Sequence, residues 1–203
     1  MAAVRQPVAG DVFFLDTNIF VYALLASEPL KKQRALQLME QALAKRLGCT
    51  SYQVIQEFAN VATRKFAKRF TSDECKQFID AAMQPINRVS SSHELIDSAL
   101  DLQDETHYSF YDCLVLAAAL QIGADVIYTE DLQHNQLVRG TLRIVNPFLM
   151  VANEAESDSP GFLGSEPKFA EPSARPKGTA LCTAAKLVSD PNNPPCVMIR
   201  ASL

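Results

Sequence analysis

Four carboxylates are the residues best placed to do chemistry together: Asp16, Glu57, Asp112 and Asp131. Asp16 directly follows an apolar run typical of a buried strand, and Asp131 comes three residues after a second such run, which ends near Tyr128. Ligand sites in open α/β sheets form beyond the carboxyl ends of strands, so these two acids converge if their strands are neighbours. Glu57 falls within a predicted helix and Asp112 in the first turn of another, at the same end of a layered sheet. We therefore expect the four acids to meet in one pocket.

Carboxylates gathered in this way repel one another. Two unit charges about 4 Å apart repel by roughly 4 kcal/mol at an effective dielectric constant of about 20. A hard divalent cation offsets this repulsion, and Mg²⁺ or Mn²⁺ prefers carboxylate oxygens together with water and phosphate oxygens. Such an ion lowers the pKa of a bound water and stabilises charge on a phosphate. The acids therefore predict metal-assisted phosphodiester hydrolysis.

Each acid also has a local explanation that requires no function. Asp16 can cap the helix that follows it, and Asp112 stands three residues after Ser109, where an acid completes a capping box. Asp131 can be a turn residue after a strand. Glu57 can be a solvated helix residue, as most glutamates are. Taken singly, each acid is adequately explained by its local role.

Short apolar runs alternate with helical periodicity from residue 11 to about 148. Strands are predicted at 12–15, 86–89, 124–128 and 142–145, and helices at 16–27, 36–47, 50–66, 72–83, 92–105 and 109–123. Strands that alternate with helices predict an α/β fold with a mostly parallel central sheet and helices on both faces.

Three helix boundaries are predicted from local signals. Gly48 is expected to stop the second helix, with Cys49 beginning a connection. Thr50 and Gln53 have the spacing of a capping box that opens the third helix, and Ser72 is expected to cap the fourth.

The composition changes near residue 150. Seven of the eleven prolines lie beyond that point, where hydrophobic periodicity is also lost. Prolines remove backbone hydrogen-bond donors, so residues 151–203 are predicted to be a disordered, proline-rich tail behind one domain at 1–150.

Composition and charge narrow the class of protein. The net charge of -4 argues against a protein that holds nucleic acid by a bulk positive field. Five cysteines without a CxxC pair predict reduced thiols. The longest apolar stretch is interrupted by Asp16, Thr17 and Asn18, which are costly in lipid, so no membrane span is expected. We expect a cytoplasmic protein.

Five short motifs, taken together, resemble those of PIN-domain nucleases. They are Leu15-Asp-Thr-Asn18, Gln56-Glu-Phe58, Ser109-Phe-Tyr-Asp112, Thr129-Glu-Asp131 and Asn146-Pro-Phe148, and they cover about residues 11–148. The similarity is greatest to the toxins of VapBC-type toxin–antitoxin pairs. The resemblance implies a PIN-like three-layer fold and an endoribonuclease that depends on Mg²⁺ or Mn²⁺. It also implies a structured RNA substrate such as tRNA or rRNA, a VapB-like antitoxin partner and a homodimer.

The resemblance also implies roles for particular residues. Asp16, Glu57, Asp112 and Asp131 correspond to the four catalytic and metal-binding acids of the family. Asp131 is chosen over the adjacent Glu130 because the family pattern places the acid second after the threonine. Supporting polar positions, which orient ligands and waters, are matched by Thr17, Asn18 and Thr129. The tail departs from the family, whose members usually end near the Asn-Pro-Phe motif.

A group of cations follows Glu57 along the chain. At 100° per residue, Arg64 and, if the helix lasts that far, Lys68 lie about 20° to either side of Glu57. With Lys65 and Arg69 they form a candidate RNA-binding basic patch, although cations also favour a helix C-terminus for purely structural reasons.

Three tyrosines, Tyr52, Tyr108 and Tyr111, can stack on unpaired bases if they are exposed. Core packing is the favoured alternative for each. Two functions compete with the ribonuclease: an inactive PIN-fold module that binds RNA or protein, and a related nuclease outside toxin–antitoxin systems. Four acids and a metal do not read the 2′-hydroxyl, so only a substrate comparison separates RNA from DNA cleavage.

Overall fold

The computed structural model describes residues 11–149, which form one α/β domain. Its helices are α1 Thr17–Leu24, α2 Pro29–Lys45, α3 Tyr52–Arg64, α4 Ser72–Phe78, α5 His93–Thr106 and α6 Phe110–Gln121. A π-helical segment, Ile79–Met83, and a 3-10 segment, Gln84–Ile86, follow α4. The strands are β1 Phe13–Leu15, β2 Gly48–Ser51, β3 Asn87–Val89, β4 Val126–Tyr128, β5 Leu137–Val138 and β6 Leu142–Val145. The predicted tail, 151–203, lies outside the described residues.

The strands form one six-stranded sheet in the order β3-β2-β1-β4-β6-β5. All neighbours are parallel except β5 and β6, which pair in antiparallel fashion. β1 and β4 lie side by side, with Leu15 opposite Tyr128. The predicted α/β class with a mostly parallel sheet and helix layers is thereby confirmed.

The chain reverses its direction of travel across the sheet between β1 and β4. From β1 it moves outward through β2 to β3, and it then returns to the other side of β1 to form β4. In open α/β sheets this is the place where a crevice opens beyond the carboxyl ends of the strands. The segments that follow Leu15 and Tyr128 lie at that crevice.

The central strands are buried because helices cover them. All three residues of β1 and all three of β4 are buried, as continuous apolar runs in parallel sheets usually are. α1, α2 and α3 pack together, and α5 packs along α6, which itself contacts β2 and β4. The resulting core holds Phe14, Leu15, Phe58, Leu116 and Ile127 with almost no exposure.

Strand β2 was not predicted, because its first residue, Gly48, was expected to stop α2. Gly48 does not stop α2, which ends at Lys45 and is followed by the C-cap Arg46 in the left-handed conformation. A Cβ on Gly48 would lie 2.1 Å from the Cβ of Ala42, so the glycine lets the strand approach α2 closely. The strand Gly-Cys-Thr-Ser has too few apolar residues to show the hydrophobic periodicity of a strand. Its place in the sheet depends on the strands with which it pairs.

Two predicted caps are also wrong by one residue. Ser51, not Thr50, caps α3 by accepting from the Val54 N–H, while the Thr50 hydroxyl donates to the Leu15 carbonyl. Thr71, not Ser72, caps α4, with a full capping box to Glu74.

The described cysteines, Cys49, Cys75 and Cys113, are free and buried, as predicted for reduced structural thiols. Burial raises the pKa of Cys49 to about 12. Within residues 11–149, no helix is long and apolar enough to cross a membrane.

Candidate functional site

Asp16 lies where β1 turns into α1, and both of its carboxylate oxygens are engaged. One oxygen accepts from the Thr17 N–H at 2.7 Å, which makes Asp16 the N-cap of α1. The other accepts from the Thr129 hydroxyl at 2.7 Å. Asp16 is buried, with 8% of its surface exposed. The local capping role and a place in a site are therefore both present in one residue.

Asn18 and Thr129 connect Asp16 to Asp131. The Asn18 amide nitrogen lies 3.1 Å from the Thr129 hydroxyl, 3.2 Å from Asp131 Oδ2 and 3.5 Å from Asp16 Oδ2. The Asp131 N–H donates to the Thr129 hydroxyl at 3.2 Å. The segments after β1 and β4 are thus joined by polar side chains, as the adjacency of the two strands predicts.

Glu57 joins this network from α3. Its Oε2 accepts from the Thr17 hydroxyl at 2.9 Å, and its side chain is otherwise exposed. Glu57 lies one turn beyond Gln53 on α3, which starts at the carboxyl end of β2. The helix acid and the strand-end acid therefore face each other across Thr17.

The charges of Glu57 and Asp131 act on Asp16. The pKa of Asp16 is raised to about 6: burial is the largest cause, the hydrogen bonds from Thr129 and Thr17 lower the pKa, and the charges of Glu57 and Asp131 add to the rise. Within the described part of the chain, no lysine or arginine forms an ion pair with any of the three acids. The site concentrates negative charge, and no cation of residues 11–149 pairs with it.

Asp112 stands apart from the other three acids. It lies in the first turn of α6, where its carboxylate accepts from the Ser109 hydroxyl at 2.7 Å and its N–H donates to the same hydroxyl at 3.3 Å. The Gln53 amide of α3 donates to the Tyr111 carbonyl at 3.2 Å, so the beginnings of α3 and α6 adjoin. Ser109 holds the Asp112 carboxylate, and no hydrogen bond within residues 11–149 joins Asp112 to the other three acids.

Glu130 has different partners from Asp131. Lys31 donates to Glu130 at 2.9 Å, and the Tyr22 hydroxyl donates to the other carboxylate oxygen. Sequence reasoning chose Asp131 over Glu130 but did not single out Lys31 or Tyr22. Their spacing from Glu130 along the chain, about 100 residues, carries no local signal.

The basic patch lies at and beyond the end of α3. Arg64, Lys65, Lys68 and Arg69 are all exposed, but α3 ends at Arg64. The helix does not last as far as Lys68, so the condition on its predicted position beside Glu57 is not met. Tyr111 and Tyr52 are 71% and 45% exposed, which contradicts the expectation that they pack in the core, whereas Tyr108 is partly buried against it.

The donor atoms suit a hard divalent cation in type and charge. Carboxylate oxygens without a protein cation are the ligands such ions prefer, and the buried Oδ1 of Asn18 has no hydrogen-bond partner. As the side chains stand, however, no group of three or more Asp, Glu, His or Cys residues within 11–149 is close enough to hold one ion. A shared ion would require the acids to move closer together.

A family model described as PIN domain matches residues 13–139, more than half of the chain. A comparison with curated proteins found no match.

Comparison with solved structures found several similar chains. A toxin–antitoxin complex from Klebsiella pneumoniae is 18% identical with a TM-score of 0.45, and covers 66% of this chain and 96% of its own. The Sarcin-Ricin loop cleaving toxin VapC20 from Mycobacterium tuberculosis is 22% identical with a TM-score of 0.40, covering 59% and 89%. FitAcB from Neisseria gonorrhoeae is 15% identical with a TM-score of 0.46, covering 68% and 99%.

Proposed function

The chain belongs to the PIN domain family, and we propose that it is an endoribonuclease that depends on Mg²⁺ or Mn²⁺ and hydrolyses RNA phosphodiester bonds. The observation that carries the proposal is the environment of Asp16. This acid is buried at the crevice between β1 and β4, beside Glu57 and Asp131, with no protein cation among the described residues to balance it. Such an arrangement disfavours its own charged form and is relieved by a bound cation.

In this proposal Asp16, Asp131 and Glu57 would hold the ion, and Asp112 would complete the set of acids. When bound, the ion supplies an acidified water and stabilises negative charge on the phosphate. Thr129 fixes one oxygen of Asp16 by donating its hydroxyl, and Asn18 orients Asp131 through its amide nitrogen.

Thr17 has a similar supporting role. Its hydroxyl donates to Glu57 and its N–H donates to Asp16, so one residue sets the separation of two acids. The Thr17 N–H favours the charged form of Asp16, as donors to a carboxylate do, and the Thr17 hydroxyl orients Glu57.

The wider assignment follows from the sequence motifs. We propose a toxin of a VapBC-type pair that acts in the cytoplasm on tRNA or rRNA, forms a homodimer and is inhibited by a cognate VapB-like antitoxin. An arginine or lysine of the antitoxin placed among the carboxylates would supply the charge compensation that residues 11–149 do not provide. The basic patch at Arg64, Lys65, Lys68 and Arg69 would bind RNA phosphates that lie at some distance from the acids.

Asp16→Asn tests the assignment. We expect RNA cleavage by the wild type only with Mg²⁺ or Mn²⁺, and a loss of at least about a hundredfold in kcat for Asp16→Asn, because a neutral amide binds the ion poorly. Asp97→Asn on the exposed part of α5 is the matched control and should cleave as the wild type does.

Two outcomes would overturn the proposal. Undiminished cleavage by Asp16→Asn would remove the acid from the chemistry. RNA binding without cleavage, together with no heat of Mg²⁺ or Mn²⁺ binding in titration calorimetry, would identify an inactive binding module. DNA in the same assay separates a ribonuclease from a nuclease that accepts either substrate.

A further inference from the structure

Two adjacent acids follow Thr129, and their side chains go to different places. Asp131 interacts with Asn18 in the candidate site, whereas Glu130 interacts with Lys31 and Tyr22. The choice between the two acids is not made by local sequence, because both are carboxylates on the same short segment. The contacts of Glu130 with Lys31 and Tyr22 make this choice.

Those partners form a compact cluster around Lys31. The Lys31 ammonium donates to Glu130 Oε2 and to the Tyr22 hydroxyl, at 2.9 Å each. It also lies 4.3 Å from the centre of the Tyr22 ring and 5.5 Å from that of Phe148. The Tyr22 and Phe148 rings meet edge to face with centres 4.9 Å apart. We call Tyr22, Lys31, Glu130 and Phe148 the Lys31 clamp.

The Lys31 clamp joins four separate segments of the chain. Tyr22 belongs to α1, Lys31 to α2, Glu130 to the segment after β4 and Phe148 to the segment after β6. The N–H of Phe148 donates to Asn146 Oδ1 at 2.9 Å, which sets the turn that presents the ring. The Asn-Pro-Phe motif therefore has a physical role, since it supplies the aromatic wall of the clamp.

The ion pair at the centre of the clamp is accessible to solvent. The Lys31 and Glu130 side chains are 31% and 22% exposed, and ion pairs of this kind contribute little to overall stability. The ion pair instead affects how the segment after β4 is oriented. A neutralised Glu130 that is tied to α1 and α2 leaves Thr129 and Asp131 to face Asp16. A free Glu130 would add another negative charge beside acids that have no paired cation in the described part of the chain.

We propose that Lys31 is a positioning residue of the candidate site: through Glu130 it fixes the Thr129–Asp131 segment so that Thr129 and Asp131, and not Glu130, are presented to Asp16. This inference rests on the proposed nuclease function. Lys31 itself touches neither Asp16 nor Asp131 and acts only through Glu130.

The test compares Lys31→Met, Glu130→Ala, their double variant and Lys31→Arg. We expect each single variant to lower kcat for RNA about tenfold with little change in KM, because the acids are misplaced while RNA contacts remain. The double variant should lose no more than either single one, since both remove the same interaction. Lys31→Arg should restore activity. Lys76→Met, which breaks the exposed pair with Asp73, is the matched control and should leave kcat unchanged.

Amide hydrogen exchange gives a second readout that does not depend on activity. The Asp131 N–H donates to the Thr129 hydroxyl, so its exchange should quicken in Lys31→Met while the core amides of α6 exchange as in the wild type. If Lys31→Met does not fold, Glu130→Ala is compared with Lys31→Arg in the same way.

Wild-type kcat together with wild-type exchange in Lys31→Met would overturn the inference, as would additive losses in the double variant. A wild-type protein that fails to cleave RNA would contradict the proposed function instead. In that case the exchange of residues 129–132 alone would decide whether the Lys31 clamp positions the segment.

Discussion

Asp16 combines two roles that are usually assigned to different residues. As the N-cap of α1 it receives the Thr17 N–H, and as the most buried of the four acids it lies between Glu57 and Asp131. A helix N-terminus favours a nearby negative charge, whereas burial and two neighbouring carboxylates oppose it. Burial prevails here, because the pKa of Asp16 is raised to about 6.

The raised pKa of Asp16 predicts a pH dependence of stability in the absence of metal. Its pKa rises from 3.8 to about 6 on folding, so the folded state binds the proton more tightly. Well below pH 3.8 the acid is protonated in both states and costs nothing. As the pH rises from about 4 to about 6, the wild type should lose up to about 3 kcal/mol relative to Asp16→Asn.

Urea unfolding of both proteins in EDTA at pH 4 and pH 7 measures this difference. Asp16→Asn should be the more stable protein at pH 7, and most of its advantage should vanish at pH 4. Asp97→Asn should show neither effect. An Asp16→Asn variant that is less stable at pH 7 would mean that the capping bond outweighs the buried charge.

At the scale of elements, helix starts bring the supporting residues into place. Ser92 and Ser109 cap α5 and α6 in the same way, each accepting from the N–H three residues on, at 3.2 and 3.3 Å. The Ser92 hydroxyl also hydrogen-bonds the exposed Glu94 carboxylate, whereas the Ser109 hydroxyl donates to Asp112. One cap is therefore structural, and the other also holds a candidate site acid.

Ser92→Ala and Ser109→Ala separate these two roles. Each should destabilise the protein by about 1 kcal/mol, because each leaves a helix N–H without its side-chain acceptor. Only Ser109→Ala should also change RNA cleavage, since only it frees the Asp112 carboxylate. Thermal unfolding and initial cleavage rates measured side by side check this. Equal cleavage by the two variants would leave Asp112 outside the site.

The contact between β2 and α2 makes a second prediction at this scale. Gly48→Ala should cost about 1–3 kcal/mol or more, because the new methyl group would overlap Ala42, including its backbone Cα at 2.6 Å. Gly140→Ala is the control. Gly140 has φ of +74° but nothing within 4 Å of the added Cβ, so only backbone strain opposes the change. Denaturant midpoints should fall further for Gly48→Ala, and the reverse order would contradict the close approach.

For the whole molecule, the distribution of charge matters more than its total. A net charge of -4 gives RNA no general attraction, so any phosphate contacts must come from local cations. The exposed group at Arg64, Lys65, Lys68 and Arg69 begins about two helical turns beyond Glu57. That separation places the cations too far from the acid for a direct ion pair but near enough to contact a neighbouring phosphate.

Arg64→Gln/Lys65→Gln tests that arrangement. Removing two phosphate contacts should raise KM for RNA several-fold and weaken its dependence on salt, with kcat nearly unchanged. Lys45→Gln/Arg46→Gln, at the exposed end of α2, is the matched control and should leave both quantities as they are. Cleavage kinetics at two salt concentrations measure KM, kcat and the dependence of KM on salt. An unchanged KM would mean that these cations have only the structural role of charges at a helix end and do not bind RNA.

The sequence by itself determined the alternation of strands and helices, the strands β1, β3, β4 and β6, and the PIN family, whose model matches residues 13–139. Those features follow from periodicity and short motifs, which are local. The family match does not test the site residues, and their roles stay predictions.

Only the tertiary structure decided which partners distant residues meet. Neither the pairing of Leu15 with Tyr128 nor the place of Gly48 in a strand could be inferred locally, because each depends on a segment remote in the chain. The same holds for Glu130. The family pattern favours Asp131 over Glu130, but the physical reason lies in the fold: Lys31, 99 residues earlier, pairs with Glu130 and leaves Asp131 beside Asn18.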